Sequence, residues 1–182
     1  MGFEAAIFRR VNFVELAKRK VERLLEFQWQ GSQALGKSAN IFGHLLDSTY
    51  SSPIGFDFEH GGGPVTSENV QAKAQLLMEQ MNERSQWFRT NHILVPLGGD
   101  FEYQNATVMF SNMSIVMDYV NAREDTYGAK LFYSTLPEYF EAVFAQNVTF
   151  PNFGGDFLPY ISFFDSWWTG FYTSRFAHFQ YN

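Results

Sequence analysis

Residues 93–104 read ILVPLGGDFEYQ: a short apolar run, ILVPLG at 93–98, stopped by glycines and followed at once by Asp100. Such a run predicts a strand buried in a parallel sheet. KLFYST at 130–135 predicts a second short strand. Between the two, residues 111–123 have the spacing of an amphipathic helix, and LPEYFEAVFAQ at 136–146 predicts another, with Pro137 in its first turn. Upstream, Ser67 opens a capped helix of about five turns that runs through Phe88. Residues 52–67, SPIGFDFEHGGGPVTS, read as a loop. Val14, Ala17, Val21, Leu24 and Leu25 predict a helix over 12–29. Strands alternating with helices give an α/β fold class.

In parallel sheets and barrels the chemistry gathers at the carboxyl ends of strands. Asp100 falls two residues past such an end, which makes it a candidate catalytic carboxylate. The tetrad Gly-Gly-Asp-Phe recurs at 154–157, within FPNFGGDFLPY. No comparable strand precedes Asp156, so this second copy reads as a turn in an irregular aromatic loop.

The 182 residues fit one domain or a piece of a larger one, and 46% hydrophobic content allows a packed core. The chain holds 21 Phe, either packed inside or lining a groove where flat rings stack on sugars. A net charge of −6 lacks the electrostatic footprint of a nucleic-acid binder. The basic run KRKVER at 18–23 alternates with Glu15, Glu22 and Glu26 and reads as a solvated helix face. With no cysteine there is no disulfide and no thiol chemistry. No apolar run approaches the ~18 residues of a membrane span, and no signal-peptide core opens the chain. Asn105, Asn112 and Asn147 each begin an N-glycosylation sequon, which hints at a lumenal protein.

Several motifs fail on inspection. Cyclic-dinucleotide synthases carry a second acid after the Asp of GGDF, where this chain has Phe101 and Phe157. HGGGP at 60–64 is similar to an esterase oxyanion loop, but the chain has no G-x-S-x-G elbow. His44, His60, His92 and His178 lie far apart and read as surface or hydrogen-bonded residues rather than metal ligands.

Ordered blocks along essentially the whole chain carry a resemblance: MGFEAAIFRRVNF, LEFQWQGSQALG, IFGHLLDSTYSSPIGFDFE, FRTNHILVPLGGDFEYQNATVMF, YSTLPEYF and FPNFGGDFLPY…DSWWTGFYTSR. In these the sequence resembles the retaining α-mannosidases of glycoside hydrolase family 38, the lysosomal type most of all. The resemblance implies part of a seven-stranded β/α barrel truncated at both ends. Residues 1–182 would then be the C-terminal portion of the barrel of a catalytic domain. Within it, Asp100 matches the general acid/base, Arg10 the arginine at the floor of the sugar pocket, and Tyr50 the tyrosine lining it. Arg9 stands where the family has a small residue, and Gly99 replaces the first of two consecutive acids found in Golgi-type members.

The resemblance further implies a zinc ion whose ligands, like the nucleophilic Asp, lie outside this chain, so no metal ligand is assigned within it. The substrate would be a mannose-containing oligosaccharide or glycoprotein glycan, and the location the lysosome or secretory lumen. The remainder of the parent polypeptide becomes a partner, and the 182 residues alone are expected to be inactive. The tail after TSR departs from the family, which sets residues 176–182 apart. A non-catalytic carbohydrate-binding remnant is the competing reading, and a misfolded truncation a third.

Overall fold

The computed structural model describes residues 3–174; Met1, Gly2 and residues 175–182, including His178 and the divergent tail 176–182, lie outside the described residues. The chain divides into two compact units, Met1–Ser48 with Trp87–Arg89 and Thr149–Asn182, and Thr49–Gln86 with Thr90–Val148. Elements are numbered in chain order.

The first unit is built on a sheet. Strands β1 (Ala5–Phe8), β2 (Glu26–Gln30), β3 (Asn40–Leu45) and β4 (Asn152–Phe153) lie in the order β1-β3-β2-β4. β1 runs parallel to β3, β2 antiparallel to β3, and β2 parallel to β4. Helix α1 (Phe13–Glu22) begins where the Asn12 side chain accepts the Val14 N–H, with Glu15 in its first turn and Arg19 and Lys20 in its last. It stops seven residues before the end predicted from sequence. Arg23 adopts a left-handed conformation at φ 56°, and its N–H caps the Arg19 and Lys20 carbonyls. Leu24 and Leu25, which extend the helical spacing, lead instead into β2, whose backbone pairs on both sides.

The basic run is also not a wholly solvated face. Arg19 is buried: it pairs with Glu15 at 2.7 Å and lies 4.3 Å from the Phe153 ring centroid and 5.2 Å from that of Phe157. Ring faces carry the negative lobe of their quadrupole, so they accept a guanidinium that water no longer reaches. Lys20 lies 3.9 Å over Trp87.

The second unit is helical, with α2 (Val70–Ser85), α3 (Ala106–Asn121), the single turn α4 (Glu124–Tyr127) and α5 (Leu136–Ala145). α5 has a full capping box between Thr135 and Glu138, with proline in its first turn. The cap of α2 is Asn69, two residues past Ser67, and α3 starts five residues earlier than the spacing predicts. Their facing sides build a core from Ala74, Leu77, Met81, Met113, Val116 and Val120.

Residues 93–98 and 130–135 form no strand among the described residues, which corrects the sequence expectation. Alternate residues nonetheless pack inward. Ile93, Val95 and Leu97 pack on the helical core, as do Ala129 and Leu131. A strand needs a backbone partner as well as an apolar face, and at Leu131 that partner is a side chain: Asn121 accepts its N–H and donates to its carbonyl, both at 2.8 Å. The fold class is α/β, with its described strands in other segments than those predicted. The short helix α6 (Gly170–Ser174), in the first unit, is the last described element.

Gly43 of β3 faces Phe27 of β2 in the antiparallel register, and a Cβ there would lie 2.5 Å from the ring. Phe27 is fully buried against Phe153 and Phe157 and cannot swing aside. Gly43→Ala is therefore expected to destabilise the protein by about 1–3 kcal/mol, the usual cost of overpacking, measured by urea denaturation. An unchanged midpoint would show that the ring does not lie on this glycine.

Candidate active site

The second unit brings Tyr50 and Asp100 together. The Tyr50 hydroxyl donates to Asp100 Oδ1 at 2.7 Å across 50 residues of sequence, and both side chains are exposed. Ser52, two residues on, donates its N–H to the Gly98 carbonyl at 2.7 Å. Asp100 thus sits on a loop tied to the 50–52 segment through both backbone and side chain.

The loop is conformationally unusual. Phe101 and Tyr103 lie at φ 63° and 65°, in the left-handed region that bulky residues avoid. Tyr103 is retained by its hydroxyl, which donates to the Leu97 carbonyl at 2.8 Å, and by its ring against Phe110. Phe101 is 83% exposed, so its ring does not shield Asp100 from water. The left-handed turn directs it to solvent instead.

Two carboxylates that spacing did not single out complete the loop. Glu59 accepts the backbone N–H of Tyr103 and that of Asn105. Glu102 accepts from the Ser52 hydroxyl at 3.3 Å. A Cβ at residue 99 would overlap the Glu102 carboxylate, so Gly99, where Golgi-type members have an acid, leaves that space to Glu102. Burial, and the negative charges of Asp57 and Glu59, push the Glu102 carboxyl above its ordinary value, against the Ser52 bond and His60. No spacing rule pairs position 59 with 103–105; Glu102, two residues from Asp100, was the readable one.

The glycine-rich stretch is a turn, not an oxyanion loop. Asp57 accepts the His60 N–H at 3.0 Å, and Lys73 donates to the carbonyls of Gly55 and Gly62 at 2.8 and 2.6 Å. A Cβ on Gly62 would lie 2.7 Å from the Asp57 carbonyl oxygen, which explains a glycine there. The second tetrad, in the first unit, is also a turn: Asp156 Oδ1 accepts the Leu158 N–H at 2.9 Å.

Arg10 belongs to the first unit, with its guanidinium carbon 4.5 Å from the Trp168 ring centroid. Beside it, Arg9 donates to the Tyr160 hydroxyl at 2.8 Å, a use for the larger residue at that position. Asn105 and Asn147 are exposed. Asn112 is half-buried within α3: its carbonyl accepts the Val65 N–H at 2.6 Å, and its amide nitrogen donates to the Val108 carbonyl at 2.8 Å. Of the Asn105 and Asn112 sequons, only the first has its asparagine exposed.

Among the described residues, no three His, Cys, Asp or Glu side chains converge to hold a metal ion. His44 is buried against Glu26 at 3.1 Å and stacked on Phe88, His60 lies beside Asp57, and His92 is 3.4 Å from the Gln146 amide. These residues do not by themselves fit a zinc centre.

The family model described as the glycosyl hydrolases family 38 N-terminal domain matches residues 1–163. The chain belongs to glycosyl hydrolase family 38. It is 35% identical over 190 residues to the epididymis-specific alpha-mannosidase of Sus scrofa, covering 96% of this chain and 19% of that protein. Against the lysosomal alpha-mannosidase of Dictyostelium discoideum it is 32% identical over 181 residues, with 96% and 18% covered. Against the alpha-mannosidase of Canavalia ensiformis it is 35% identical over 183 residues, again with 96% and 18% covered. The family 38 chain thus spans about a fifth of the length of the curated relatives it matches. No helix among its described residues is long and apolar enough to cross a membrane.

Glu102 gives this family 38 loop a pH signature. Its folded value lies above the ordinary 4.5, so the folded state holds the proton more tightly than the unfolded chain. The contribution is fully present below the unfolded value and is lost as pH rises through the raised one. Between about pH 4 and about pH 7, the melting temperature of the native protein should therefore fall relative to that of Glu102→Gln. Parallel melting curves across that range would rule out the linkage.

Proposed function

We propose that the protein is a retaining α-mannosidase in which Asp100 is the general acid/base. The observation that carries this reading is the hydrogen bond from Tyr50 to Asp100, on the loop that succeeds the strand-like segment 93–98. A retaining glycosidase needs one carboxyl group to protonate the departing glycosidic oxygen and a second, roughly 5 Å away, to attack the anomeric carbon. Tyr50 occupies Oδ1 and turns the carboxyl so that Oδ2 meets the leaving oxygen. In the second step Asp100 takes a proton from the incoming water.

In this reading, residues 93–98 and 130–135 are strands of the family's seven-stranded barrel, and their alternating apolar faces support it. Arg10 contributes to the sugar pocket. The nucleophile and the ligands of a zinc ion come from other segments of a longer polypeptide. The described residues do not form the metal site, so no step is routed through it. The substrate is a terminal α-mannosyl residue of an N-glycan, and the compartment is the lysosome or secretory lumen. The relatives' names, alpha-mannosidase and lysosomal alpha-mannosidase, support the mannosyl residue and the lysosome.

The decisive comparison uses two chemically identical changes. Asp100→Asn should lower turnover of a mannosyl disaccharide by about 10²–10⁴-fold, the usual contribution of general acid/base catalysis. An activated aryl mannoside, whose leaving group needs little protonation, should lose far less in single-turnover glycosylation. Asp156→Asn should weaken folding and show no leaving-group dependence, because its carboxylate holds a turn. Equal losses on both substrates with Asp100→Asn, in a folded protein, would remove Asp100 as the acid.

The lumenal location has its own test. Peptide mapping of the secreted protein is expected to find glycan on Asn105 and Asn147 and not on Asn112. A glycan on Asn112 of the folded protein would contradict the amide's role between Val65 and Val108.

A further inference from the structure

Asp100 lies in a loop whose backbone does not favour its own conformation. Phe101 and Tyr103 both stand at positive φ, where the Cβ of an L-residue crowds the neighbouring carbonyl oxygen. Bulky residues persist there only when their surroundings over-determine them. On one side the loop is held by Ser52 on the Gly98 carbonyl and by Tyr50 on Asp100. On the other side the only side chain with two bonds to the loop's backbone, among the described residues, is Glu59. Its two carboxylate oxygens divide the work: Oε2 accepts the N–H of Tyr103, and Oε1 accepts that of Asn105 at 2.5 Å.

Asn105 is also the cap position of α3, and its own side chain makes no capping bond. A helix of 16 residues therefore meets the acid loop with its positive end turned to the Glu59 carboxylate. Glu59 is fixed in turn, because the stretch 55–62 is closed by Asp57 and by Lys73 on the carbonyls of Gly55 and Gly62.

We infer that Glu59 is a positioning residue for Asp100: its carboxylate holds the 101–105 backbone in the left-handed course that places Asp100 under the Tyr50 hydroxyl. This rests on reading Asp100 as the general acid. A carboxylate offers a separate oxygen to each of the two N–H groups. The glutamine amide would accept one N–H and turn a donor toward the other, so Glu59→Gln breaks half of the clamp with almost no change in volume.

The experiment uses the full-length enzyme with Glu59→Gln, Glu59→Ala, Asp100→Asn and the double variant Glu59→Gln/Asp100→Asn. In Glu59→Gln, exchange of the amides over 101–106 should accelerate by about tenfold, the effect of losing one charge-assisted hydrogen bond, while α2 stays protected. Turnover of a mannosyl disaccharide should fall by about tenfold with KM nearly unchanged, and the activated aryl mannoside should be almost unaffected. The double variant should be no slower than Asp100→Asn alone, because Glu59 acts only through Asp100.

Losses that multiply in the double variant, or that fall equally on both substrates, would overturn the inference and leave Glu59 a folding residue. Unchanged exchange over 101–106 in Glu59→Gln would also overturn it. Should Glu59→Ala fail to fold, Glu59→Gln decides alone. If Asp100→Asn itself shows no leaving-group dependence, the acid assignment fails and the positioning role falls with it. Accelerated exchange in Glu59→Gln would then show that the backbone clamp is real but serves another purpose.

Discussion

The Asp100 loop depends on keeping two bulky residues at positive φ. Phe101 and Tyr103 would relax to ordinary backbone if left alone, and the acid between Gly99 and Phe101 would move with them. Everything around the loop opposes that relaxation. Tyr103 is anchored at its hydroxyl, Glu59 grips two N–H groups, Ser52 holds Gly98, and Tyr50 meets the carboxylate itself. Strained backbone held from several directions is a preorganised backbone, which suits the proton-donor role proposed for Asp100.

The first unit rests on a different constraint. Its sheet needs the Phe27 ring to lie across Gly43, and that ring belongs to a cluster with Phe153 and Phe157 closed over the Arg19 guanidinium. Buried charge is costly unless paired. Here Glu15, the Leu24 carbonyl and three ring faces share the task. Three of the chain's 21 Phe are thus packing around a cation rather than free surface. A second group, Phe163, Phe164, Trp167 and Trp168, remains exposed.

The helices show how local chemistry and tertiary demand divide. α5 begins where Thr135, Pro137 and Glu138 say it should, because a capping box satisfies its orphan N–H groups within four residues. Apolar spacing alone makes α1 too long, since it continues through Leu25, whereas Arg23 turns left-handed and β2 takes up the chain from Glu26. The apolar run at 93–98 is legible, and the structure packs alternate residues of it on the core, yet it forms no ladder among the described residues. Alternation is a property of one segment, whereas a ladder is a property of two.

The sequence by itself determined the family, the α/β class, the place of Asp100 directly after an apolar run, and the turn at Asp156. Each is written in contiguous residues: ordered blocks, a run that ends in glycines, an Asp whose own neighbours form its turn. Only the tertiary structure decided that Tyr50 reaches Asp100, that Glu59 holds Tyr103 and Asn105, and that Asn112 is tied to Val65. It also moved Arg19 from solvent into a ring cage. These contacts join residues far apart along the chain, and no local preference encodes a partner at such distance. They exist because burial of apolar surface brings the segments together, and the polar groups carried in with it must then find one another.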